Sequence, residues 1–310
     1  MESDEREVLS GRRRFLEFRC LVVRLIRDFF EGEGFLEVQT PLLTGAPAPE
    51  VHIRAIPADS GRFLSTSPEL HMKRLLAAGF EKICQITHAF RGDERGRLHH
   101  PEFTILEWYR SGATYKDLQQ DCQKLVRSVC RAIVPESGFH FRGSGLDFDG
   151  QWERYAVREA FRKFAGWDPG SNPDQDRFDL EMVQKVEPNL GFPAPCILED
   201  YPRSQAALAR IKPGDPEVAE RFELFWAGVE LANGFSELTD PVEQRTRFEA
   251  AIAKKEQMEG INYPLPTAFL ASLHHLSPCA GIAFGVDRFV MLLSGADSID
   301  DVVAFAPEMA

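Results

Sequence analysis

The sequence predicts an α+β fold in which an antiparallel β-sheet is flanked by helices. One long amphipathic helix and two β-hairpins lead to this prediction. Near the N-terminus, apolar residues recur at intervals of three and four, which is typical of one helix face. They are Phe15, Phe18, Val22, Leu25 and Phe29. Gly32 and Gly34 end this helix.

The hairpins follow from runs of β-forming residues separated by polar or turn segments. Residues 82–91 and 103–109 are predicted strands that flank a polar segment. Residues 222–226 and 229–233 form a second pair, which turns at Ala227-Gly228.

Other elements follow from capping residues, periodicity and composition. A short strand is predicted at 35–39 and another at 280–284, where Gly285 leads into a helix at about 286–293. Three further helices are predicted: 69–78, 115–134 and 241–260. Two segments rich in glycine, proline and aspartate are predicted to be loops or an irregular excursion: 136–150 and 166–195.

Composition indicates a cytoplasmic protein and weighs against a nucleic-acid partner, although a local basic patch stays open. The 310 residues are 44% hydrophobic, and no apolar run approaches the roughly 20 residues of a membrane span. The six cysteines form no CxxC pair, which favours reduced thiols. Because the formal net charge is -12, the overall balance weighs against tRNA as a partner.

The first candidate site is the hairpin at residues 90–109. Strand alternation places Phe103, Ile105, Glu107 and Tyr109 on one face, and Arg91 ends the preceding strand, where it can reach that face. The planar fork of an arginine suits a phosphate. A solvated hairpin with charged tips is the alternative.

The second candidate site is a pair of glutamates. A two-residue turn would place Phe225 opposite Glu230 and Glu223 opposite Ala232, so the two glutamates would be diagonal neighbours about 7–8 Å apart at the backbone. Such a pair suits Mg²⁺, which carboxylates and nucleotide phosphates hold together. Two exposed glutamates on an edge strand are the alternative.

The third candidate is the segment from Gly281 to Arg288. Small residues alternate along a strand and allow a close approach to the backbone, and Arg288 lies in the first turn of the next helix. Tight packing of strand on helix would explain the pattern equally well. The sequence has no G-x-S-x-G, Walker or HExxH motif, and His274-His275 is interpreted as a pair that lies at the surface or behind the residues that contact a ligand.

In order, these segments resemble the three signature motifs of class II aminoacyl-tRNA synthetases. The first motif is Gly34–Pro41, which in that family builds the dimer interface; the other two are the Arg91 hairpin and the segment ending at Arg288. Three segments resemble the lysyl branch: 66–76, 99–109 and 228–240.

The chain has no room for the N-terminal OB-fold with which lysyl-tRNA synthetases bind the anticodon. It therefore resembles the stand-alone paralogues of that branch, which attach β-lysine to a lysine of elongation factor P. We expect residues 1–310 to form one catalytic domain that works as a homodimer.

The resemblance implies roles for individual residues. Arg91 would hold the α-phosphate of ATP, and Arg288 the γ-phosphate. Phe103 would stack on adenine, and Asp93 would meet its amino group. The remaining implied ATP contacts are His99, His100, Glu230, Leu231 and Gly285. Glu223 and Glu230 would organise Mg²⁺. Glu69 and Glu237 would take the ammonium groups of a lysine-like substrate, and the other implied substrate contacts are Ser67, Pro68, Tyr109, Asn233 and Ala283.

Three positions depart from the family pattern. Asp93 stands where Glu is usual, His100 where Asn is usual, and Ala283 where lysyl-tRNA synthetases have Gly. We hypothesise that the methyl group of Ala283 disfavours α-lysine and favours an isomer such as (R)-β-lysine. The segment 166–195 is also short for the family.

The leading interpretation is a ligase that forms an aminoacyl-adenylate from ATP and transfers the aminoacyl group to a protein lysine. One alternative is transfer to tRNA or another small acceptor. Another is a catalytically silent, regulatory paralogue. The arginines and glutamates present in the motifs argue against a catalytically silent paralogue, because charged side chains are costly to keep in a cleft that binds no phosphate or metal.

Overall fold

The structure, a computed structural model, describes residues 5–310, apart from the side chain at position 259. Its centre is an eight-stranded sheet with the strand order β1-β4-β5-β12-β11-β10-β9-β8. The strands are β1 (Leu36–Glu37), β2 (Leu43–Thr44), β3 (Phe63–Leu64), β4 (Lys82–Phe90), β5 (Glu102–Ser111), β6 (Phe139–Phe141), β7 (Ser144–Leu146), β8 (Glu153–Ala156), β9 (Cys196–Pro202), β10 (Val218–Trp226), β11 (Val229–Ser236) and β12 (Cys279–Gly285).

Helices surround this sheet. Within the described residues they are α1 (Glu5–Gly32), α2 (Glu69–Ala77), α3 (Tyr115–Ile133), α4 (Val157–Ala160), α5 (Gln175–Glu181), α6 (Pro241–Glu259), α7 (Thr267–Ser272) and α8 (Val286–Ser294). The antiparallel sheet flanked by helices is confirmed, with one difference at its edges. The two outer pairs, β1–β4 and β8–β9, are parallel. The six strands between them in the sheet, in the order β4-β5-β12-β11-β10-β9, pair antiparallel.

Three helices cover one face of the sheet. α1, α3 and α8 contact one another or the central strands, and their apolar side chains bury Trp108 and Phe284 completely. The predicted face of α1 is confirmed, because Val22 is fully buried and the other four apolar residues pack against the same core. Since the helices occupy this face, the opposite face is free to build a site; we call it the site face.

The prediction of loops at 136–150 and 166–195 was wrong in part. The first segment contains the small hairpin β6–β7, and the second contains α5, which continues into a wide helical turn at Met182–Val186. Phe178, Met182 and Val186, spaced four apart, pack into a core with Phe161. The composition of these segments hid that periodicity, and strands β8 and β9 beside them were also not predicted. The predicted strand at 35–39 is only two residues long.

Candidate functional site

A cavity of about 1030 Å³ lies on the site face. Strand pairing places four side chains in one row across the sheet, which we call the central row. Glu223 on β10 pairs with Asn233 on β11, Asn233 pairs with Ala283 on β12, and Ala283 pairs with Glu107 on β5. All four residues line the cavity. Thus residues far apart in the sequence meet because four neighbouring strands are in register.

A β-bulge sets this register and corrects one prediction. Phe225 does pair with Glu230, but the register then shifts, so Glu223 faces Asn233 rather than Ala232. The extra residue in β11 turns Asn233 toward the site face, where unbroken alternation would have placed Ala232. Glu223 and Glu230 nevertheless lie on the same face and interact electrostatically.

Beneath one end of the cavity lies a floor of three buried charges, of which only Glu69 lines the cavity itself. Lys73, on α2, is 1% exposed and forms ion pairs with Glu69 (2.5 Å) and with Glu237. Burial opposes the charge on Lys73, but the two carboxylates raise its pKa above the ordinary range. Glu69 and Glu237, predicted to receive the substrate's ammonium groups, therefore already share one cation of the protein. Because Lys73 already neutralises one of these two charges, the floor can bind fewer ammonium groups of a substrate than two free carboxylates could.

Glu107 is a third carboxylate beside this floor, and the predicted roles did not include it. Its oxygens accept hydrogen bonds from the hydroxyl of Ser67 (2.6 Å) and from the phenol of Tyr109 (2.7 Å). Burial, followed by repulsion from Glu69, raises the pKa of Glu107 to about 8. A cation bound next to Glu107 would favour its ionised form.

The ring of Tyr109 lies directly on the backbone of Gly281. A Cβ atom at position 281 would approach Tyr109 Cε1 to 2.1 Å and Glu237 Oε1 to 2.6 Å. Only a residue without a side chain fits there, which gives a physical reason for the first glycine of the third candidate segment.

Arg288 marks the other end of the cavity. Its guanidinium donates to the carbonyl oxygens of Leu98 (3.1 Å) and Glu230 (2.8 Å), to the Glu230 carboxylate (3.1 Å), and to Nε2 of His99 (2.5 Å). Burial and the neighbouring Arg288 lower the pKa of His99 to about 4, so its ring is neutral and accepts this bond. These contacts fix the arginine fork before any ligand binds.

Arg91 and Phe103 also meet as predicted. The guanidinium carbon of Arg91 lies 5.0 Å from the centre of the Phe103 ring, and both residues line the cavity. Asp93 does not line it. The backbone of Asp93 has a φ of 65°, and its carboxylate pairs with Arg54 at the surface (2.6 Å). The next residue, Glu94, lines the cavity instead.

Three other predicted contacts need correction. His100 lies in the cavity wall, but it is 2% exposed and its Nε2 is 2.5 Å from Asp300 Oδ1, so that nitrogen is already engaged. Pro68 is not a lining residue; its carbonyl accepts the backbone N–H groups that begin α2. Glu237 does not line the cavity either; its side chain is fully buried and pairs with Lys73, so its predicted direct contact with the substrate is corrected. The other predicted residues do line the cavity, including Leu231 and Gly285.

The two glutamates predicted to bind Mg²⁺ each carry an arginine partner. Arg221 donates to Glu223 (2.7 Å), and Arg288 donates to Glu230. Burial and the nearby Glu230 raise the pKa of Glu223, whereas the ion pair with Arg288 outweighs burial and lowers the pKa of Glu230. Among residues 5–310, no group of three or more His, Cys, Asp or Glu side chains is arranged to hold a metal by itself.

Helix α6 closes one side of the cavity. Arg247 donates to the carbonyls of Ala207 and Ala209 (2.9 Å each), and the buried Lys255 donates to the carbonyls of Glu50 (2.9 Å) and Ile53 (2.5 Å). The two segments that accept these hydrogen bonds, 207–209 and 50–53, both contribute lining residues. The helix therefore ties two rims of the cavity together.

This combination of ordered motifs and site geometry has a match among known families. The family of tRNA synthetases class II (D, K and N) matches residues 8–309. The chain belongs to the class II tRNA synthetases. Membership agrees with the predicted resemblance and with the sheet and the arginines described above.

Several curated relatives within this class II family cover almost all of the chain. The chain is 39% identical over 306 residues to the elongation factor P–(R)-β-lysine ligase of Vibrio cholerae, with 94% of each chain covered. The enzyme of the same name from Klebsiella pneumoniae is 39% identical over 308 residues, and that from Sodalis glossinidius is 38% identical over 324 residues, again with 94% of each chain covered. Within the described part of the chain, no helix is both long and apolar enough to cross a membrane.

The prediction of site residues in this class II chain missed charged groups whose partners lie on other elements. Lys73, Glu107 and Arg221 belong to the site, but each is recognised only when its partner from another part of the chain is in place. Strand alternation had already placed Glu107 on the same face as Tyr109, so that signal could have identified it. No local sequence pattern identifies Lys73 as a site residue, because it is one polar residue within an amphipathic helix.

Proposed function

We propose that this protein activates (R)-β-lysine with ATP and ligates it to a lysine side chain of elongation factor P. The curated relatives carry that name at 38–39% identity over nearly the whole chain. The observation that carries the proposal is the division of one cavity into two charged ends. Arg91, His99 and Arg288 lie at one end, and Glu69 and Glu107 at the other, with Glu237 behind Glu69 and joined to it through Lys73.

The arginine end suits ATP. Arg91 would hold the α-phosphate, and Arg288, already oriented by carbonyl oxygens and His99, would hold the γ-phosphate. The Phe103 ring offers a stacking surface for adenine. Because Asp93 lies outside the cavity, we assign the acidic contact on the adenine side to Glu94.

The glutamate end suits a diamino acid. Lys73 shares Glu69 and Glu237, and Glu107 lies between Ser67 and Tyr109, so this end recognises ammonium groups by fixed carboxylates. An apolar amino acid would offer no ammonium group to Glu107, at a cost of about 1–3 kcal/mol when that carboxylate is ionised. Ala283 lies in the central row between Asn233 and Glu107, where its methyl group limits the position of the substrate's backbone.

The glutamates Glu223 and Glu230 fit a Mg²⁺ site that phosphate completes. Carboxylate oxygens are the ligands that Mg²⁺ takes beside nucleotide phosphates, and two such residues lie next to the arginine end. When bound there, the ion would supply charge stabilisation to the phosphates. Arg221 holds Glu223 in place, and Arg288 does the same for Glu230.

The chemistry needs positioning more than a base. The substrate's carboxylate oxygen attacks the α-phosphorus, a bond from that oxygen to phosphorus forms, and the bond to the β-phosphate oxygen breaks, with pyrophosphate taking the electron pair. The acceptor's lysine amine then attacks the acyl carbon, AMP leaves, and the amine loses a proton to solvent. The main barrier in the first step comes from bringing two anions together, and the arginines lower it by stabilising their charge and fixing their positions.

We also propose that residues 1–310 act as one catalytic domain in the cytoplasm and form a homodimer. An apolar groove of about 830 Å³ runs between α1 and strands β1 and β4, and Leu36 beside it is 52% exposed. The first family motif lies there, and an exposed apolar groove favours a second copy of the chain as its cover. Sedimentation of the purified protein measures this directly.

The acceptor of the aminoacyl group is the part of the proposal that has an alternative, which is tRNA instead of elongation factor P. Transfer to tRNA would need the same adenylate, but the net charge of -12 does not favour a polyanion. The test is ATP–pyrophosphate exchange with Mg²⁺ and either α-lysine, (R)-β-lysine or no amino acid, followed by transfer to elongation factor P or to tRNA. We expect exchange with (R)-β-lysine and transfer to the protein. Absence of exchange with both isomers would refute the proposal.

A further inference from the structure

A junction of hydrogen bonds joins the N-terminal helix to the arginine end of the cavity. The guanidinium of Arg19, on α1, donates to Asp287 Oδ1 (2.5 Å) and to Thr104 Oγ1 (2.7 Å). The second carboxylate oxygen of Asp287 accepts the backbone N–H of Thr104 at 2.8 Å. We call these three residues the Arg19 junction.

The junction lies where the sheet gives way to helix α8. β12 ends at Gly285, whose partner on β5 is Ile105, so Thr104 lies one residue beyond the last pair of that ladder. The Asp287 carboxylate accepts the N–H of Thr104 in place of a strand carbonyl. In this way the side chain extends the pairing of β5 after β12 has ended.

The neighbours of the junction are the residues proposed to hold ATP. Thr104 directly follows Phe103, and Asp287 directly precedes Arg288. The junction therefore fixes the start of β5 relative to the first turn of α8. The adenine-stacking ring and the γ-phosphate arginine lie on these two elements.

Burial makes the arginine necessary for this arrangement. The side chain of Asp287 is 5% exposed, and Thr104 is 9% exposed. A buried carboxylate is costly unless a cation and hydrogen bonds compensate it. Arg19 supplies the cation from a different helix, and it also lines the groove proposed as the subunit interface.

We propose that Arg19, which does not itself line the cavity, is a positioning residue for ATP and acts through Asp287 and Thr104, which do line it. This inference rests on the proposed function, because it assumes that the arginine end binds ATP. Without Arg19, the hydrogen bonds that link β5 to α8 are weakened. The distance between Phe103 on β5 and Arg288 on α8 is then no longer fixed. The glutamate end contains no member of the junction and keeps its geometry.

Two equilibrium titrations test the inference: Mg²⁺-ATP without amino acid, and (R)-β-lysine without ATP. We expect Arg19→Gln to weaken ATP binding by about 10- to 100-fold, the loss typical of a misplaced group. The affinity for (R)-β-lysine should stay within about twofold, as for an independent site. Arg19→Lys should recover part of the ATP affinity, because it restores the charge but not the fork.

Two further variants make the outcome decisive. Arg27→Gln is the matched control, since Arg27 lies on the same helix and the same groove but pairs with the exposed Glu37; it should bind both ligands as the wild type does. Asp287→Asn keeps the shape of the junction and should reproduce the selective loss of ATP affinity. Unchanged ATP affinity in Arg19→Gln, or an equal loss for both ligands, would overturn the inference. If the wild type itself bound no ATP, the proposed function would fail instead.

Discussion

The ammonium group of Lys73 lies 2.5 Å from the carboxylate of Glu69, on the buried floor of the cavity. The same ammonium pairs with Glu237, and the two glutamates would otherwise repel each other. A fixed protein cation between two buried carboxylates makes the floor a preorganised array of charges rather than a free anionic patch. An ammonium group that enters this end of the cavity would therefore meet Glu69 in a position that is already set.

Removal of Lys73 should cost stability. In Lys73→Met, the buried glutamates lose their cation, and we expect the free energy of unfolding to fall by about 3–5 kcal/mol. Urea denaturation at neutral pH measures this change. Lys82→Met, in a half-buried lysine of β4 that donates to the Glu33 carbonyl, is the control and should change little. A combined Lys73→Met and Glu69→Gln variant should recover part of the loss; equal stability of Lys73→Met and wild type would contradict the role of the triad.

A methyl group at position 281 should disrupt the glutamate end of the cavity. The added Cβ would lie 2.1 Å from Tyr109 Cε1, so the ring must move. We expect Gly281→Ala to lose about 1–3 kcal/mol of stability, as overpacked sites do, and to bind the amino acid poorly. Thermal unfolding of Gly285→Ala is the matched comparison, because its Cβ would meet Arg288 Cδ at an ordinary 3.5 Å. Equal stability of the two variants would mean that the ring is free to shift.

The raised pKa of Glu107 predicts a pH dependence of stability. Burial and Glu69 raise this pKa from its ordinary 4.5 to about 8. Between these values the folded state holds the proton more tightly than the unfolded state, so this residue lowers the free energy of unfolding as pH rises. Glu107→Gln should thus gain stability relative to wild type from pH 5 to pH 8, as measured by urea denaturation at each pH. The control Glu136→Gln, at an exposed position after α3, should show no such trend, and a flat difference for Glu107→Gln would count against the raised pKa.

Ala283 should control the choice between lysine isomers. Its methyl group lies in the central row beside Glu107 and Asn233. We expect Ala283→Gly to raise pyrophosphate exchange with α-lysine relative to (R)-β-lysine by about 10-fold or more, since a difference of one carbon in a pocket has effects of that size. The ratio of kcat/KM for the two isomers is the quantity to compare. An unchanged kcat/KM for α-lysine in Ala283→Gly would contradict the hypothesis.

Much of the fold could be predicted because its signals are local. The spacing of Phe15 to Phe29 set one helix, and alternation in residues 103–109 set the site face of β5. The segment 166–195 was mispredicted because glycine and proline at its ends obscured three apolar residues that pack on Phe161. Its structure depends on a core contributed by other parts of the chain.

The site was harder to predict where register and partners decide it. The pairing of Glu223 with Asn233 depends on a bulge that no turn rule signals, and the orientation of Asp93 depends on a backbone φ of 65° and on Arg54. Lys73 acquires its role only when α2 meets the end of β11. In each case the residue type was visible in the sequence, but the contact that gives it a function is formed by the tertiary structure.

The most direct test of the central claim is the mass of elongation factor P after incubation with this protein, Mg²⁺-ATP and (R)-β-lysine. The account predicts the gain of one β-lysyl group on a lysine side chain, abolished by Arg288→Ala and absent without ATP. An unmodified elongation factor P, under conditions in which the protein forms the adenylate, would contradict the assignment of the acceptor.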